Sequence, residues 1–221
     1  MNPKLFPIAL SFGVATAALL MVTPLGTAIA WVQARVPHRL RRVVDVLILL
    51  PIVLPPTVVG FLLVVLFGKE GVLGSALDSV FGIRLIFTPW AAVIASTIAA
   101  LPVMVKAAQP AFEAIPRELE DVARSLGLSP LAVFFRVSIP AARRGLLAGM
   151  VLSFARAMGE FGGTLMFAGN KPGRTNTMPL EIFAAYQHGD DALALIYVVV
   201  LVSFAILVAI AAGRLTPREG T

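Results

Sequence analysis

The sequence predicts an all-α integral membrane protein with five, or six, transmembrane helices in a single transmembrane domain over residues 1–221. Hydrophobic residues make up 58% of the 221 positions and charged residues only 14%, whereas soluble domains carry about a quarter charged residues. A helix needs about 20 apolar residues to cross the hydrocarbon core. Five segments approach that length, at about 8–32, 43–67, 85–108, 142–168 and 192–213.

The first segment is a candidate signal peptide as well as a span, because "TAIA" near its end resembles a cleavage site. Signal peptides have a shorter apolar run of about 7–15 residues and carry their basic residues before it. Here the basic cluster follows the segment, which favours a span. A sixth short or re-entrant helix within residues 178–187 stays open at this stage.

The composition also excludes several function classes. The chain has no cysteine, which excludes disulfides, thiolate catalysis and cysteine metal sites. Its two histidines, His38 and His188, lie outside the five segments, so the sequence indicates no intramembrane protease and no metal site. A net charge of +6 could indicate nucleic acid. The basic residues lie beside the apolar segments, however, where they indicate membrane topology and not nucleic-acid binding.

The basic residues assign the loops to the two sides of the membrane. Loop one carries four arginines, and loop three with the adjoining segment ends, residues 106–144, carries six basic residues. The tail carries Arg214 and Arg218, whereas loops two and four carry two basic residues each. The positive-inside rule then predicts that loops one and three and the C-terminus are cytoplasmic. The N-terminus is therefore expected outside, with an odd number of spans in the lipid.

The second segment contains several prolines. The stretch "LLPIVLPPTVVG" includes Pro51, Pro55 and Pro56, with Thr57 beside them and Gly60 three residues on. Each proline removes a backbone donor and disturbs the carbonyl about four residues back. In lipid the freed groups must face protein or a water-filled cavity, and broken helices often mark substrate paths. We therefore predict that Pro55, Pro56 and Thr57 line a translocation path, with a packing kink as the alternative.

The fourth segment combines small residues with two opposite charges. Gly145, Gly149 and Ser153 are four apart and form a face that another helix can approach closely. Arg156 lies roughly 18 Å beyond the arginines that begin the segment, which is near the middle of the bilayer. A lone arginine there costs about 2.5–3.5 kcal/mol. Glu160, four residues on, lies on the same helix face and can pair with it.

Two roles stay open for Arg156 and Glu160. As a structural pair they lock helix packing. As part of a path, Arg156 attracts an anion, and Glu160 keeps the site weak enough to release it. In that second role Ser153 and Gly159 line the path beside them. The glycines have a packing explanation of their own, because Gly159 and Gly163 form a GxxxG pair.

The third loop, residues 113–140, has the pattern of two short helices. The apolar positions of "RELEDVARSLG" recur at helical spacing, at Leu119, Val122, Ala123 and Leu126. This spacing predicts a short amphipathic helix, and Gly127 suits the left-handed residue that follows a helix. Ser129, followed by a proline, then begins a second helix, which Pro140 is expected to end.

The charge of this first short helix bears on its role. Three acidic residues lie on its polar face, so anionic lipid has little to gain from it. A helix lying on the lipid surface is the alternative. An acidic and apolar helix presented to the cytoplasm better fits a groove on a partner protein.

The loop resembles the E-A-A loop of the membrane subunits of type I ABC importers. The triplet falls on Asp121, Val122 and Ala123, the glycine on Gly127, and the distal isoleucine and proline on 139–140. The resemblance covers nearly the whole chain and implies that the loop forms coupling helices that dock into a groove on an ATPase subunit. It places this coupling role on Glu120, Asp121, Val122, Ala123, Leu126, Gly127, Ser129 and Pro140.

The same resemblance implies that two copies of the ATPase subunit bind ATP and Mg²⁺, and that this chain is non-catalytic and binds no cofactor or metal. The sequence agrees, because it contains no G-x-x-x-x-G-K-[ST] phosphate loop. Five spans are few to enclose a path alone. We therefore expect a second copy of the chain to complete the path.

Three stretches resemble the oxyanion group of these importers: "LPIVLPPTVVGFLLVVLFG", "FARAMGEFGGT" and "GNKPGRTNTMPLEIF". Together they look most like the permease subunit of molybdate importers. The resemblance implies a bacterial inner membrane subunit that translocates a tetrahedral oxyanion delivered by an extracytoplasmic binding protein. A sulfate or tungstate permease stays open. So do a proton-coupled transporter with Glu160 as its relay and a non-transporting membrane protein.

Overall fold

The structure, a computed structural model, describes residues 4–215, and the regular elements in that range are helical. Arg218, used above to orient the tail, lies outside the described residues. A π-helical turn lies at Phe134–Ser138. The helices are α1 (Phe6–Gln33), α2 (His38–Val53), α3 (Pro56–Phe67), α4 (Val72–Phe81), α5 (Pro89–Glu113), α6 (Arg117–Ser125), α7 (Pro130–Val133), α8 (Ile139–Ala141), α9 (Arg143–Met158), α10 (Gly162–Phe167), α11 (Met178–Gln187) and α12 (Asp191–Leu215).

The core of the fold is formed where α1 and α9 pack on α5. Small side chains on α5, among them Ala95, Ser96 and Ala99, are buried and let the neighbouring backbones approach closely. On α1, a Cβ added at Gly26 would lie 2.9 Å from Met104 Cβ of α5. The helix α5 is therefore the scaffold on which α1 and α9 both pack, and these two helices also contact each other.

Within residues 4–215, three helices, α1, α5 and α12, are long and apolar enough to cross a membrane. Residues 39–53 and 56–67 also pass that test together, but they meet at an angle of 107°, so the predicted second span is sharply bent. The expected fourth span, residues 142–168, is not one helix. The helix α9 has only 16 residues, because Gly159 ends it and the chain turns before α10 begins. The number of spans stays a prediction.

Two short helices lie between the predicted spans. The helix α11 occupies the ten residues for which a short helix was left open. The helix α4 was not predicted, because its ten residues, which include Asp78 and two serines, are too few for a span. It ends at Gly82, which has a φ of +64°, a conformation that glycine adopts without Cβ strain.

Candidate coupling and translocation sites

The joint between α6 and α7 has the geometry that the sequence predicts. Gly127 follows α6 with a φ of +87°, and Leu128 N donates to Ala123 O at 3.2 Å, which satisfies a carbonyl of the last helical turn. Ser129 precedes α7, and its Oγ accepts a hydrogen bond from Ala132 N at 3.2 Å. The two helices therefore meet at a fixed left-handed turn.

Pro140 does not end the second short helix, contrary to the expectation. The helical path runs from Pro130 through the π-helical turn to Ala141, and Pro140 lies inside α8. Proline is tolerated in the first turn of a helical segment, where its missing donor would have no partner. The chain bends two residues after Pro140, at Ala142, immediately before α9.

The exposed face of α6 is the one that carries its large apolar side chains. The side chains of Leu119 and Val122 are about half exposed, and Leu126 is 79% exposed. Ala123 is buried, as is Glu120 at 3% exposure. The placement of Glu120 on the outward polar face was therefore wrong. The face available to a partner consists of Leu119, Val122 and Leu126, with the exposed Asp121 beside it.

Glu120 is buried because Arg35 neutralises it. Arg35 Nε donates to Glu120 Oε2 at 2.8 Å, and Arg35 Nη2 pairs with Oε1. Ser138 Oγ donates to the same Oε1 at 2.5 Å. The guanidinium of Arg35 also lies 5.2 Å from the ring of Trp31 and 5.9 Å from that of Phe112, a cation–π arrangement. This cluster joins the end of α1, the end of α5, α6 and the π-helical turn.

Opposing effects act on the Glu120 carboxyl. Burial raises its pKa, but the hydrogen bonds from Arg35 and Ser138 and the charge of Arg35 outweigh burial, so the pKa lies below its ordinary value. Glu120 is therefore ionised at neutral pH. A carboxylate held this way fixes the position of α6 on the helical core.

Arg35 and Ser138 were not predicted as partners of α6, because the arginines of loop one indicate membrane topology and carry no local signal of a distant carboxylate. One signal could have indicated the buried face. Ala123 is a small residue three positions after Glu120, and positions three apart lie on the same face of a helix. Treating Ala123 as the buried position would have predicted that Glu120 faces the core.

The breaks in the second and fourth segments lie side by side. The chain turns at Leu54 and Pro55 before α3, and it turns again at 159–161 before α10. A Cβ added at Gly162 would lie 2.6 Å from Pro56 Cβ, and one added at Gly60 would lie 2.7 Å from Met166 Cβ. Glycines therefore allow α3 and α10 to lie in close contact, from the residues where both helices begin to Gly60 and Met166 about one turn farther on.

Arg156 and Glu160 form the predicted ion pair, but not on one helix face as expected, because α9 ends at Met158. Arg156 Nη2 lies 2.8 Å from Glu160 Oε2. Glu160 is buried, whereas the Arg156 side chain is one-third exposed. Because α9 ends before Glu160, its other oxygen can accept a hydrogen bond from Gly163 N at 2.8 Å. Glu160 thus links the end of α9 to the first turn of α10.

The small residues of α9 face α5 of the same chain, as expected for a close helix contact. A Cβ added at Gly149 would lie 2.9 Å from Met104 Sδ and 3.4 Å from Ala107 Cβ. Ser153 is buried in the same contact, and its Oγ donates to Ala100 O at 3.4 Å. Ser153 therefore has a packing role within one chain.

The remaining residues predicted to line a path have accessible positions. Pro55, Pro56, Thr57 and Gly159 are exposed in the described chain, and the side chain of Arg156 is partly exposed. Their role in a path stays a prediction. The close contact of Gly162 with Pro56 brings both groups to one region of the fold.

A second polar network, which the sequence analysis did not predict, joins α1, α2 and α5. Asp45 on α2 accepts hydrogen bonds from Gln33 Nε2 at 2.9 Å and from Lys106 Nζ at 2.5 Å. Arg41 Nη2 lies 2.6 Å from Glu113 Oε1. The ionised groups neutralise one another, and they hold α2 against the end of α5 nearest α6.

The chain is similar in sequence to permease proteins of molybdenum transport systems. ModB of Escherichia coli (strain K12), a molybdenum transport system permease protein, is 38% identical over 186 residues, covering 84% of this chain and 81% of ModB. YvgM of Bacillus subtilis (strain 168), which carries a provisional name as a molybdenum transport system permease protein, is 46% identical over 204 residues, covering 91% of this chain and 89% of YvgM.

Solved structures agree on the fold. In the crystal structure of a bacterial alginate ABC transporter in complex with an alginate-pentasaccharide-bound periplasmic protein, one chain matches with a TM-score of 0.72 at 14% identity, covering 99% of this chain and 80% of that one. Residues 6–220 match a family described as the binding-protein-dependent transport system inner membrane component. The chain therefore belongs to this family of multi-pass inner membrane transport subunits.

Proposed function

We propose that the chain is the permease subunit of an ATP-driven importer of molybdate. The proposal that this chain couples to an ATPase rests on the apolar face of α6, where Leu126 is 79% exposed. The opposite face of α6 is held on the core by the hydrogen bond between Arg35 and Glu120. A rigid helix that presents large apolar side chains fits a groove on a partner protein. The partner is an ATPase subunit, present in two copies, that binds ATP and Mg²⁺.

The path for the anion lies in a dimer of this chain, near the two helix breaks. Arg156 supplies a positive charge there, and Glu160 offsets it. The α6 end of the bundle faces the cytoplasm, the N-terminus lies outside, and an extracytoplasmic binding protein delivers the oxyanion on that side. The basic residues of loops one and three support this orientation.

The substrate is inferred from the relatives, whose names refer to molybdenum transport. Sulfate and tungstate are also tetrahedral dianions, so a site built on one arginine would not by its charge distinguish the three. Membership of a binding-protein-dependent family disfavours a proton-coupled secondary transporter.

Uptake of labelled molybdate tests the proposal. The permease, its ATPase and its binding protein are reconstituted in proteoliposomes, and unlabelled tungstate or sulfate is added in excess. We expect uptake that tungstate reduces and sulfate leaves nearly unchanged. Efficient uptake of labelled sulfate, with none of molybdate, would assign the chain to sulfate instead.

A further inference from the structure

A groove of about 860 Å³ lies between the α6-proximal ends of α5 and α9. Its walls are mainly apolar and include Ala111 of α5 and Ala141 of α8, and it runs along α9 as far as Leu152. Its lining includes three cations: Arg143 and Arg144 lie at the end where α9 begins, and Lys106 of α5 lies farther along. The groove is thus cationic at one end and apolar along its length.

The cations of the groove differ in their availability. Lys106 Nζ is bound by Asp45 and contributes little free charge. Arg143 and Arg144 are exposed, and within residues 4–215 neither lies in an ion pair with a carboxylate. The two arginines therefore leave an unneutralised positive charge at the mouth of the groove.

The length of the groove matches one leaflet of a bilayer. Arg144 and Leu152 are eight positions apart on α9, a distance of about 12 Å along the helix axis. Half of the hydrocarbon core is about 15 Å thick. When Arg143 and Arg144 lie at the membrane surface, the apolar wall therefore follows the direction and depth of an acyl chain.

We infer that this groove binds an anionic phospholipid of the cytoplasmic leaflet, with its phosphate at Arg143 and Arg144 and one acyl chain along α9. Basic pockets between transmembrane helices on the cytoplasmic side suit such headgroups. A free oxyanion fits the two arginines but leaves the apolar wall unused. The inference rests on the proposed orientation, in which the α6 end is cytoplasmic.

The lipid would act on the joint between the coupling loop and the core. Ala141 belongs to α8, which follows the π-helical turn, and Arg143 begins α9. A phosphate bound there neutralises the charge at this bend. The lipid composition of the membrane would therefore affect the bend that connects the coupling loop, with α6, to α9.

Lipid retention by the purified permease–ATPase complex tests the inference. The complex is stripped of lipid and incubated with equal amounts of phosphatidylglycerol and phosphatidylcholine, and the bound lipids are counted by native mass spectrometry. We expect preferential retention of phosphatidylglycerol. The variant Arg143→Gln/Arg144→Gln, which replaces both arginines, should bind phosphatidylglycerol roughly thirtyfold more weakly, at about one kcal/mol for each cation.

Two further variants separate the groove from surface charge. Arg39→Gln/Arg42→Gln removes the same charge from exposed positions of α2 that do not line the groove, and it should retain phosphatidylglycerol. Ala141→Trp fills the groove without changing the charge, and it should lose the lipid.

Several results would overturn the inference. An equal loss of phosphatidylglycerol in the two double-arginine variants would indicate that the lipid is attracted by surface charge in general and not by a specific site. Displacement of the lipid by molybdate would assign the arginines to a free oxyanion. A cross-link between two copies through Ala141→Cys would place a second chain in the groove. Normal ATP-driven uptake alongside any of these results would leave the proposed function standing.

Discussion

Arg35 and Glu120 are 85 positions apart, and they are joined by a hydrogen bond of 2.8 Å from Arg35 Nε to Glu120 Oε2. The pair is largely buried, with side-chain exposures of 18% and 4%. Removing one partner of a buried pair costs about 3–5 kcal/mol, because the other charge is left unpaired. The pair therefore determines whether α6 moves with the core or independently of it.

Acidification should release α6 from the core. Because the pKa of Glu120 lies below its ordinary value, the pair stabilises the contact fully above about pH 4.3 and loses that contribution as the pH falls through the folded pKa. Fluorescence of Trp31, which lies beside Arg35, in a Trp90→Phe background should report this change. Glu120→Gln should remove this pH dependence, and an unchanged transition in that variant would assign it to another group.

Replacing Gly127 should uncouple the transporter without preventing its insertion. The φ of +87° at Gly127 is unfavourable for any other residue, at a cost of roughly 1–2 kcal/mol, although space for a side chain is free. Gly127→Val should therefore tilt α6 and lower the molybdate transported per ATP hydrolysed.

Gly189→Val is the matched control for this variant. Gly189 has a φ of +75° and open space around it, so the strain is similar but lies far along the chain from α6. Its transport per ATP should match the wild type. A similar loss in both variants would show that backbone strain, and not the coupling joint, causes the defect.

Replacing Gly149 should separate α5 from α9. Any side chain there meets Met104 Sδ and Ala107 Cβ, and such overpacking costs about 1–3 kcal/mol. Gly149→Leu should lower the melting temperature of the purified protein in detergent. Gly13→Leu, where the structure leaves open space, should not. Equal melting temperatures for both variants would contradict the packing assigned to α9.

The double variant Arg156→Met/Glu160→Gln should distinguish the two roles of this pair. If the pair only locks packing, each single change leaves one charge unpaired and costs about 3–5 kcal/mol, while the double variant recovers assembly and uptake together. If Arg156 attracts the anion, the double variant assembles but transports poorly. Complex yield and molybdate uptake, measured for both singles and the double, separate these outcomes.

The fold class, the joint at Gly127 and the pairing of Arg156 with Glu160 could be predicted because each depends on local spacing. The buried face of α6 could not be predicted, because Glu120 is neutralised by Arg35, a residue 85 positions away. The division of the fourth segment also escaped prediction. Its break depends on Glu160 accepting a hydrogen bond from Gly163 N and on the close contact of Gly162 with Pro56.

The central claim is that ATP hydrolysis on a partner, transmitted through α6, drives molybdate uptake. The most direct measurement is uptake into proteoliposomes that contain the permease, its ATPase and its binding protein, with ATP supplied and a protonophore present. We expect uptake to continue under these conditions. Leu126→Glu, which places a charge on the exposed face of α6, should abolish uptake and release the ATPase. Uptake that needs a proton gradient and proceeds without ATP would contradict the account.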